Sequence, residues 1–424
     1  MNISHSMYYI IAVLSLLNFV RILVMLIGSD LYDIRQVLKN HRYKQRKRAY
    51  RPLISVIIPA YNEEMGVIRT IDSVLANDYP NKQIIVVDDG SRDKTLPMLH
   101  SYRRKHPGAF TVVHQQNAGK AAAINRAVSR WAKGSLVMVV DADSLLQQNA
   151  ITNMVQHFRD RKVIATASNV KVIPSRKVLG IAQRFEYLIS YRMKRALTVS
   201  NMEYIVGGVG STFRRSVILK TGLYDTDTMT EDIDLTVKLI REYGNKSYKI
   251  HYAADSVAYT EHVLSFKSLV KQRFRWKYGR MQTLLKNQAL FFSKNKKYDK
   301  RLTWYQLPYA IIGEVVLMLE PLLVGYIVVV TVLYADISSM LSVYAIVTAF
   351  VFLMLLGEET ESTRTKLVLA LALPVTYLLM YILTAAEFAA LLQSLRNRKQ
   401  LFARTMEHSS WEHVERSGKP VTLN

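Results

Sequence analysis

Residues 8–27, YYIIAVLSLLNFVRILVMLI, carry a single charge, that of Arg21. As a helix rising about 1.5 Å per residue, such a block spans the roughly 30 Å hydrocarbon core of a bilayer. A secretory leader is not the expectation, because MNISHSM ahead of it holds no Lys or Arg and no small-residue cleavage site follows. Arg21 lies toward the inner end, where its side chain can snorkel to the interface. Three more apolar blocks follow at about 309–334, 340–357 and 366–393. A chain with apolar blocks at both ends and a mixed middle is built around a membrane.

Charge gives the expected orientation. Residues 35–51 contain eight Lys/Arg and no acid. Positive segments stay on the cytoplasmic side, so the expectation is a multi-pass protein of the cell membrane with its N-terminus outside and its middle in the cytoplasm. Lys plus Arg number 57 against 33 Asp plus Glu, a net charge of +24. Membrane topology and lipid headgroups account for that excess without nucleic acid. Zero cysteines exclude a disulfide framework, thiol chemistry and cysteine zinc sites. One span before the middle and three after it would leave the C-terminal tail outside, whereas Arg396, Arg398, Lys399 and Arg404 argue for the inside. Part of 308–321, or the block containing Pro374, lying in the interface or bending back would resolve the conflict. The expected organisation is a transmembrane helix at 1–30, a basic juxtamembrane segment at 31–51 and an α/β domain at 52–260. Interfacial helices at 261–305, a transmembrane region at 306–394 and a basic tail at 395–424 complete it.

From residue 53 to about 259, short apolar runs alternate with amphipathic segments. LISVIIP (53–59), QIIVVDDGS (83–91), FTVVHQ (110–115) and SLVMVVDAD (135–143) read as buried strands ending in polar loops. Segments near 63–77, 93–105 and 119–132 read as the helices between them. The alternation predicts a parallel sheet with ligands beyond the carboxyl ends of its strands. The acidic pairs fall at those ends.

Asp88 and Asp89 follow one strand, and Asp141 and Asp143 follow another. Each pair alone is explained by a turn or a helix cap. Two on neighbouring strand ends are better explained by a base or sugar to hydrogen-bond, or a hard divalent cation to hold. PAYNEE (59–64) places Asn62 as a cap for the next helix. NAGK (117–120) opens a helix with backbone N–H groups and the Lys120 ammonium where a phosphate can dock. The glycines of GGVGS (207–211) allow close approach to a ligand. TED (230–232) precedes an apolar helical pattern, where Thr230 suits capping and a carboxylate suits general-base work. In QRFRW (272–276), Gln272, Arg275 and Trp276 share one helix face. An amide, a guanidinium and an indole suit a phosphate beside a sugar, and a basic amphipathic helix resting on the bilayer has the same pattern.

Taken in order, PAYNEE, DDGS, NAGK, DAD, TED and QRFRW resemble the processive membrane family 2 glycosyltransferases over about residues 50–280. The size and single compact middle look most like the bacterial poly-β-1,6-N-acetylglucosamine synthases, and more distantly like hyaluronan, chitin and cellulose synthases. The resemblance implies a GT-A-like, Rossmann-like α/β domain flanked by transmembrane helices. It implies donor contacts from Tyr61, Asp88, Asp89, Lys120, Asp141, Gln272 and Arg275, with Asp143 on Mg²⁺ or Mn²⁺. It also implies Asp232 as the catalytic base, with Trp276, Gly208, Ser211 and Glu231 facing the acceptor. The implied partners are a UDP-sugar, best matched by UDP-N-acetylglucosamine, a growing polysaccharide, membrane lipids and, in such systems, a small accessory membrane subunit. The gating-loop sequences of cellulose and hyaluronan synthases are absent, and Trp411 and Arg416 in the tail are the nearest substitutes, equally suited to an interfacial anchor and a solvated charge. The alternative is a non-processive transferase moving one sugar onto a lipid phosphate, which needs no QxxRW face. An inactive nucleotide-binding subunit fits poorly with intact TED and DAD carboxylates.

Overall fold

The computed structural model describes residues 3–44, 50–334 and 337–397. A long helix, α1 (Ile3–Lys44), leads into β1 (Ile54–Ala60), α2 (Val67–Leu75), β2 (Lys82–Asp88) and α3 (Thr95–Lys105). Then follow β3 (Thr111–His114), α4 (Lys120–Arg130), β4 (Leu136–Val139), β5 (Leu145–Leu146) and α5 (Ala150–His157). The sheet unit closes with β6 (Val163–Val172), α6 (Val178–Val199), β7 (Ser211–Arg214), α7 (Arg215–Lys220), α8 (Glu231–Tyr243) and β8 (Lys249–Thr260). Beyond it lie α9 (Phe266–Lys286), α10 (Leu307–Tyr334), α11 (Ile337–Leu356), α12 (Thr363–Ala372) and α13 (Thr376–Arg396).

Every residue of β1 and β4 is buried, as expected of strands covered on both faces. Alternate side chains feed two cores. Ile57, Ile85 and Val139 pack with Ile124 of α4 and Leu235 of α8. Ile58, Val86 and Met138 pack with Ile71 of α2 and Ile151 of α5. The pairs β1–β2, β2–β3 and β1–β4 are parallel.

The sheet as a whole is mixed, not parallel. Its order is β3-β2-β1-β4-β7-β6-β8-β5, and β7 runs antiparallel to both β4 and β6. The chain returns from α6 to the edge where β4 ends, so β7 starts beside Val139 and leaves beside Leu136. That reversal brings the 207–211 loop to the ligand edge.

The helices around the sheet are tied to it by ion pairs. Helix α1 continues well past the expected boundary at residue 30, with Met25, Ser29 and Tyr32 buried. Tyr32 Oη donates to the Tyr252 carbonyl at 2.7 Å. Arg192 of α6 pairs with Asp30 and Asp33 of α1. Arg195 bridges Asp33 at 2.9 Å and Glu358 at 2.8 Å, and Lys171 of β6 meets Glu361 at 3.0 Å. Among the described residues, two helical stretches are long and apolar enough to cross a membrane, Arg301–Leu319 and Leu378–Arg396. The last apolar block is broken: a 3₁₀ turn at Leu373–Val375, containing Pro374, separates α12 from α13. Helix α10 runs unbroken through Pro321. Trp411 and Arg416 lie outside the described residues, as do 45–49 of the basic run.

Candidate active site

The polar ends of β1, β2 and β4, the start of β7 and the first turns of α4 and α8 converge on one edge of the sheet. Lys120, first residue of α4, places Nζ 2.7 Å from Asp141 Oδ1 and 3.0 Å from Glu231 Oε1. Asp141 comes two residues after β4, and Glu231 is the first residue of α8. Gly208 packs against both partners: a Cβ there would stand 3.1 Å from Lys120 Nζ and 3.4 Å from Asp141 Oδ2. Ser211 is buried beside it, its hydroxyl donating to the Gly208 carbonyl at 3.5 Å. The antiparallel β7 makes this meeting possible, with Gly210 N–H donating to the Val139 carbonyl at 2.7 Å.

The charges tune one another. Burial works against the Lys120 ammonium, yet Asp141, Glu231 and Asp232 together hold it well above the ordinary lysine value. Burial works to raise Glu231 as well, but Lys120 and then Arg275 bring its carboxyl below the usual range. Asp232 is pushed up to about 6, first by burial and then by the neighbouring Glu231 charge. A carboxylate with that pKa is ionised at neutral pH and more basic than an exposed one.

Asp88 and Asp89 sit one strand away and are fully buried. Asp89 accepts from Gln115 Nε2 at 2.6 Å and from the N–H groups of Ala118 and Gly119 at 3.1 and 2.8 Å. Its carboxylate therefore shapes the NAGK loop. Asp88 Oδ2 meets His114 Nδ1 at 2.7 Å, while its buried Oδ1 has no hydrogen-bond partner among the described residues. Tyr61, half-buried, follows β1 at the same edge. Asn62 is not a helix cap. It adopts a left-handed φ of 54°, and its Oδ1 accepts from Arg92 N–H at 2.8 Å, fastening the 61–64 turn to the DDGS loop.

Asp143 borders an open cavity of about 380 Å³, together with Glu63, Glu64 and Asp93. These carboxylates offer the hard oxygen donors that suit Mg²⁺ or Mn²⁺, and Arg69 and Arg92, which line the same cavity with Met65, suit the anionic groups such a cation would accompany. The three carboxylates of Asp225, Asp227 and Asp234 are also close together. Lys286 Nζ already bridges them at 2.6, 2.8 and 3.2 Å, so their charge is met by the chain itself.

Helix α9 brings the last motif. Gln272 is buried, its Oε1 accepting from Gln183 Nε2 at 3.3 Å. Arg275 lies near enough to Glu231 to lower it. Trp276 carries the guanidinium of Arg273 over its ring at 4.5 Å, and Arg273 also donates to Glu186 at 2.6 Å. Thr230 stands at the cap position of α8 without a side-chain capping bond, and its buried Oγ1 has no hydrogen-bond partner among the described residues. Three contributors escaped the sequence reading: His114, Gln115 and Gly279. A Cβ on Gly279 would lie 2.5 Å from Thr230 Oγ1 and 2.9 Å from its N, so a bare helix face is needed for α9 to reach TED. A glycine inside a helix costs about 1 kcal/mol against alanine, which was the available signal.

Known proteins place this geometry. Poly-beta-1,6-N-acetyl-D-glucosamine synthase of Staphylococcus aureus (strain COL) is 32% identical over 257 residues, 60% of this chain and 60% of that protein. The synthase of Staphylococcus epidermidis is 31% identical over 264 residues, 62% of this chain and 61% of its own length. The matched stretch thus spans about three fifths of these relatives. A mannosyltransferase from Pyrobaculum calidifontis, solved with GDP-Man and Mn2+, superposes with a TM-score of 0.55 at 21% identity, covering 89% of this chain and 98% of that one. That likeness concerns the fold, which is the GT-A-like α/β arrangement. The family model described as "Glycosyltransferase like family 2" matches residues 51–279, more than half of the 424, and the chain belongs to that family of enzymes.

Proposed function

We propose that this enzyme is an inverting, processive transferase that polymerises a UDP-sugar, best matched by UDP-N-acetylglucosamine, into a β-linked polysaccharide and helps pass it across the membrane. The observation carrying this reading is the cluster in which Lys120 touches Asp141 and Glu231 beside the raised carboxylate of Asp232. The similarity to poly-N-acetylglucosamine synthases supports the polymer and the sugar.

In this reading Asp88, Tyr61 and the loop shaped by Asp89 receive the uridine. Lys120 and Arg275 face the diphosphate, with Gln272 holding the inner end of the same helix face. Asp143, with Asp141 adjoining, would hold a divalent cation, which would supply charge neutralisation to the diphosphate. Asp232 accepts the acceptor hydroxyl proton as that oxygen bonds to the anomeric carbon. The bond to UDP breaks on the opposite face, so one displacement converts an α-linked donor into a β-linked product. Base catalysis of this kind is typically worth about 10²–10⁴ in rate. Glu231, Gly208, Ser211 and Trp276 border the acceptor side. The membrane is the cell membrane, crossed more than once, with the catalytic unit in the cytoplasm, and lipids and an accessory subunit are further partners.

Membranes incubated with a panel of UDP-sugars and Mg²⁺ or Mn²⁺ test this, with the product sized and digested by linkage-specific glycosidases. A ladder or long polymer is expected. A single sugar on a lipid phosphate would replace the polymer reading with the non-processive one.

A further inference from the structure

We infer that Lys286, the last residue of α9, is a positioning residue for transfer: by gripping the first turn of α8 it sets where Asp232 stands relative to Arg275 and Trp276. This rests on the reading of Asp232 as the base given above.

Two helices divide the site between them. Helix α8 carries Glu231 and Asp232 in its first turn, and α9 carries Gln272, Arg275 and Trp276. In the chain they are separated by β8, so their relative placement depends on side chains across the seam. On α9 these include Gly279, Gln282 and Lys286, spaced i, i+3 and i+7 and therefore on one face. The same stripe begins with Gln272, Arg275 and Trp276, which precede Gly279 by seven, four and three residues.

The rungs of this seam are unequal. Gly279 allows close approach to Thr230 but has no side chain to hold it. Gln282 Oε1 accepts from Met229 N–H at 3.2 Å. Thr228 and Thr230, on either side of Met229, bury Oγ1 atoms with no hydrogen-bond partner among the described residues. Lys286 is the strong rung, its Nζ lying 2.6, 2.8 and 3.2 Å from the carboxylates of Asp225, Asp227 and Asp234.

What Lys286 grips is already assembled. Lys238 of α8 donates to the Leu223 carbonyl at 3.1 Å and to Asp225 at 2.6 Å, which fastens the loop before TED to α8. Asp234 belongs to the same first turn as Asp232, and its N–H donates to the Thr230 carbonyl at 3.1 Å. The Asp234 side chain is 1% exposed, and burial pushes its carboxyl up to about 6 against the pull of Lys286. Without the ammonium, three carboxylates with oxygens within 4.8 Å of one another would repel, and the first turn of α8 would lose this hold on α9.

Full-length protein in nanodiscs tests this, with transfer rates expressed per UDP-binding site so that unfolded protein does not count. Lys286→Met should lower kcat by roughly tenfold or more, as misplacement of a catalytic group does, with UDP affinity kept within about twofold. Lys286→Gln, which retains reach and a hydrogen bond, takes its place where Lys286→Met binds no UDP, with the same outcomes. Lys286→Arg, whose fork can span the same carboxylates, should regain most of the rate. The decisive variant combines Lys286→Met with Asp232→Asn. Acting through Asp232, the lysine change should cost little more in that background. An equal loss in both backgrounds would overturn the inference and leave Lys286 a brace of the fold only. A wild-type kcat in Lys286→Met would overturn it too, as would a loss of UDP affinity matching the loss of rate. Asp232→Asn at the wild-type rate would instead defeat the base reading, and the role of Lys286 with it.

Discussion

Lys120 and Glu231 are each the first residue of a helix, and their side chains meet at 3.0 Å. Two helix N-termini, each carrying partial positive charge, therefore point toward one place. The ammonium between them lowers Glu231 and partly offsets the burial that raises Asp232. An anionic ligand entering here meets fixed N–H groups and a cation already in position.

The first prediction concerns pH. With Asp232 near 6, the transfer rate should climb as pH rises through about 6 and level off above it, because the base acts deprotonated. Lys120→Met removes a charge that lowers Asp232, so the acidic limb should move to higher pH and UDP should bind more weakly. Initial rates from pH 5 to 8 check both; a limb unmoved by the substitution would separate Lys120 from the base.

Asp232→Asn should keep UDP affinity and lose transfer by about 10²–10⁴. Its effect on stability has the opposite sign. A carboxyl raised from 3.8 to about 6 binds its proton more tightly folded than unfolded. Protonation thus stabilises the fold as pH falls through 6 toward 4, and ionisation at pH 7 costs stability. Asparagine removes that cost, so the unfolding free energy at pH 7 should hold or rise, by up to about 3 kcal/mol for a shift of roughly two pKa units, and the Tm with it. Trp276→Ala should also keep UDP affinity but shorten the product. Calorimetric UDP titration beside a radiolabel transfer assay distinguishes the two defects.

Removal of divalent cations should abolish transfer, and Mg²⁺ or Mn²⁺ should restore it. Asp143→Asn should abolish transfer with no loss of fold, since a carboxylate at the rim of an open cavity contributes little to stability. Full activity in EDTA would remove the metal from the reading.

Gly279→Ala would improve helix propensity by up to about 1 kcal/mol in isolation. Here the added methyl meets Thr230 at 2.5–2.9 Å and pushes α9 away from TED. The expected result is a drop in transfer of roughly tenfold or more, as misplacement by about 1 Å can cost 10²-fold. Thr230→Ser, which removes the Thr230 methyl beside the new Cβ, should restore part of it; wild-type rates in Gly279→Ala would show that the contact does not position the carboxylates.

Much of the site was legible in order along the chain. Apolar runs that end in DDGS and DAD are strand ends by hydropathy alone, and a parallel start to the sheet puts those ends on one edge. The family and the GT-A-like α/β fold followed from the motifs in sequence. Other features depended on packing. STFR does not announce that β7 runs against its neighbours, yet this reversal brings Gly208 to Lys120. Asp89 is legible as a strand-end carboxylate, whereas its hold on the N–H groups of 118 and 119 depended on how the loop packs. Spacing put Arg275 beside Trp276, whereas the guanidinium over the indole belongs to Arg273, which Glu186 holds from another helix. The greatest difference lies in α13. Hydropathy records only that a face avoids water, and a protein core and a lipid bilayer satisfy that equally. That Leu383 is buried and Leu378 exposed was decided by α6 and α9, more than ninety residues away in the chain.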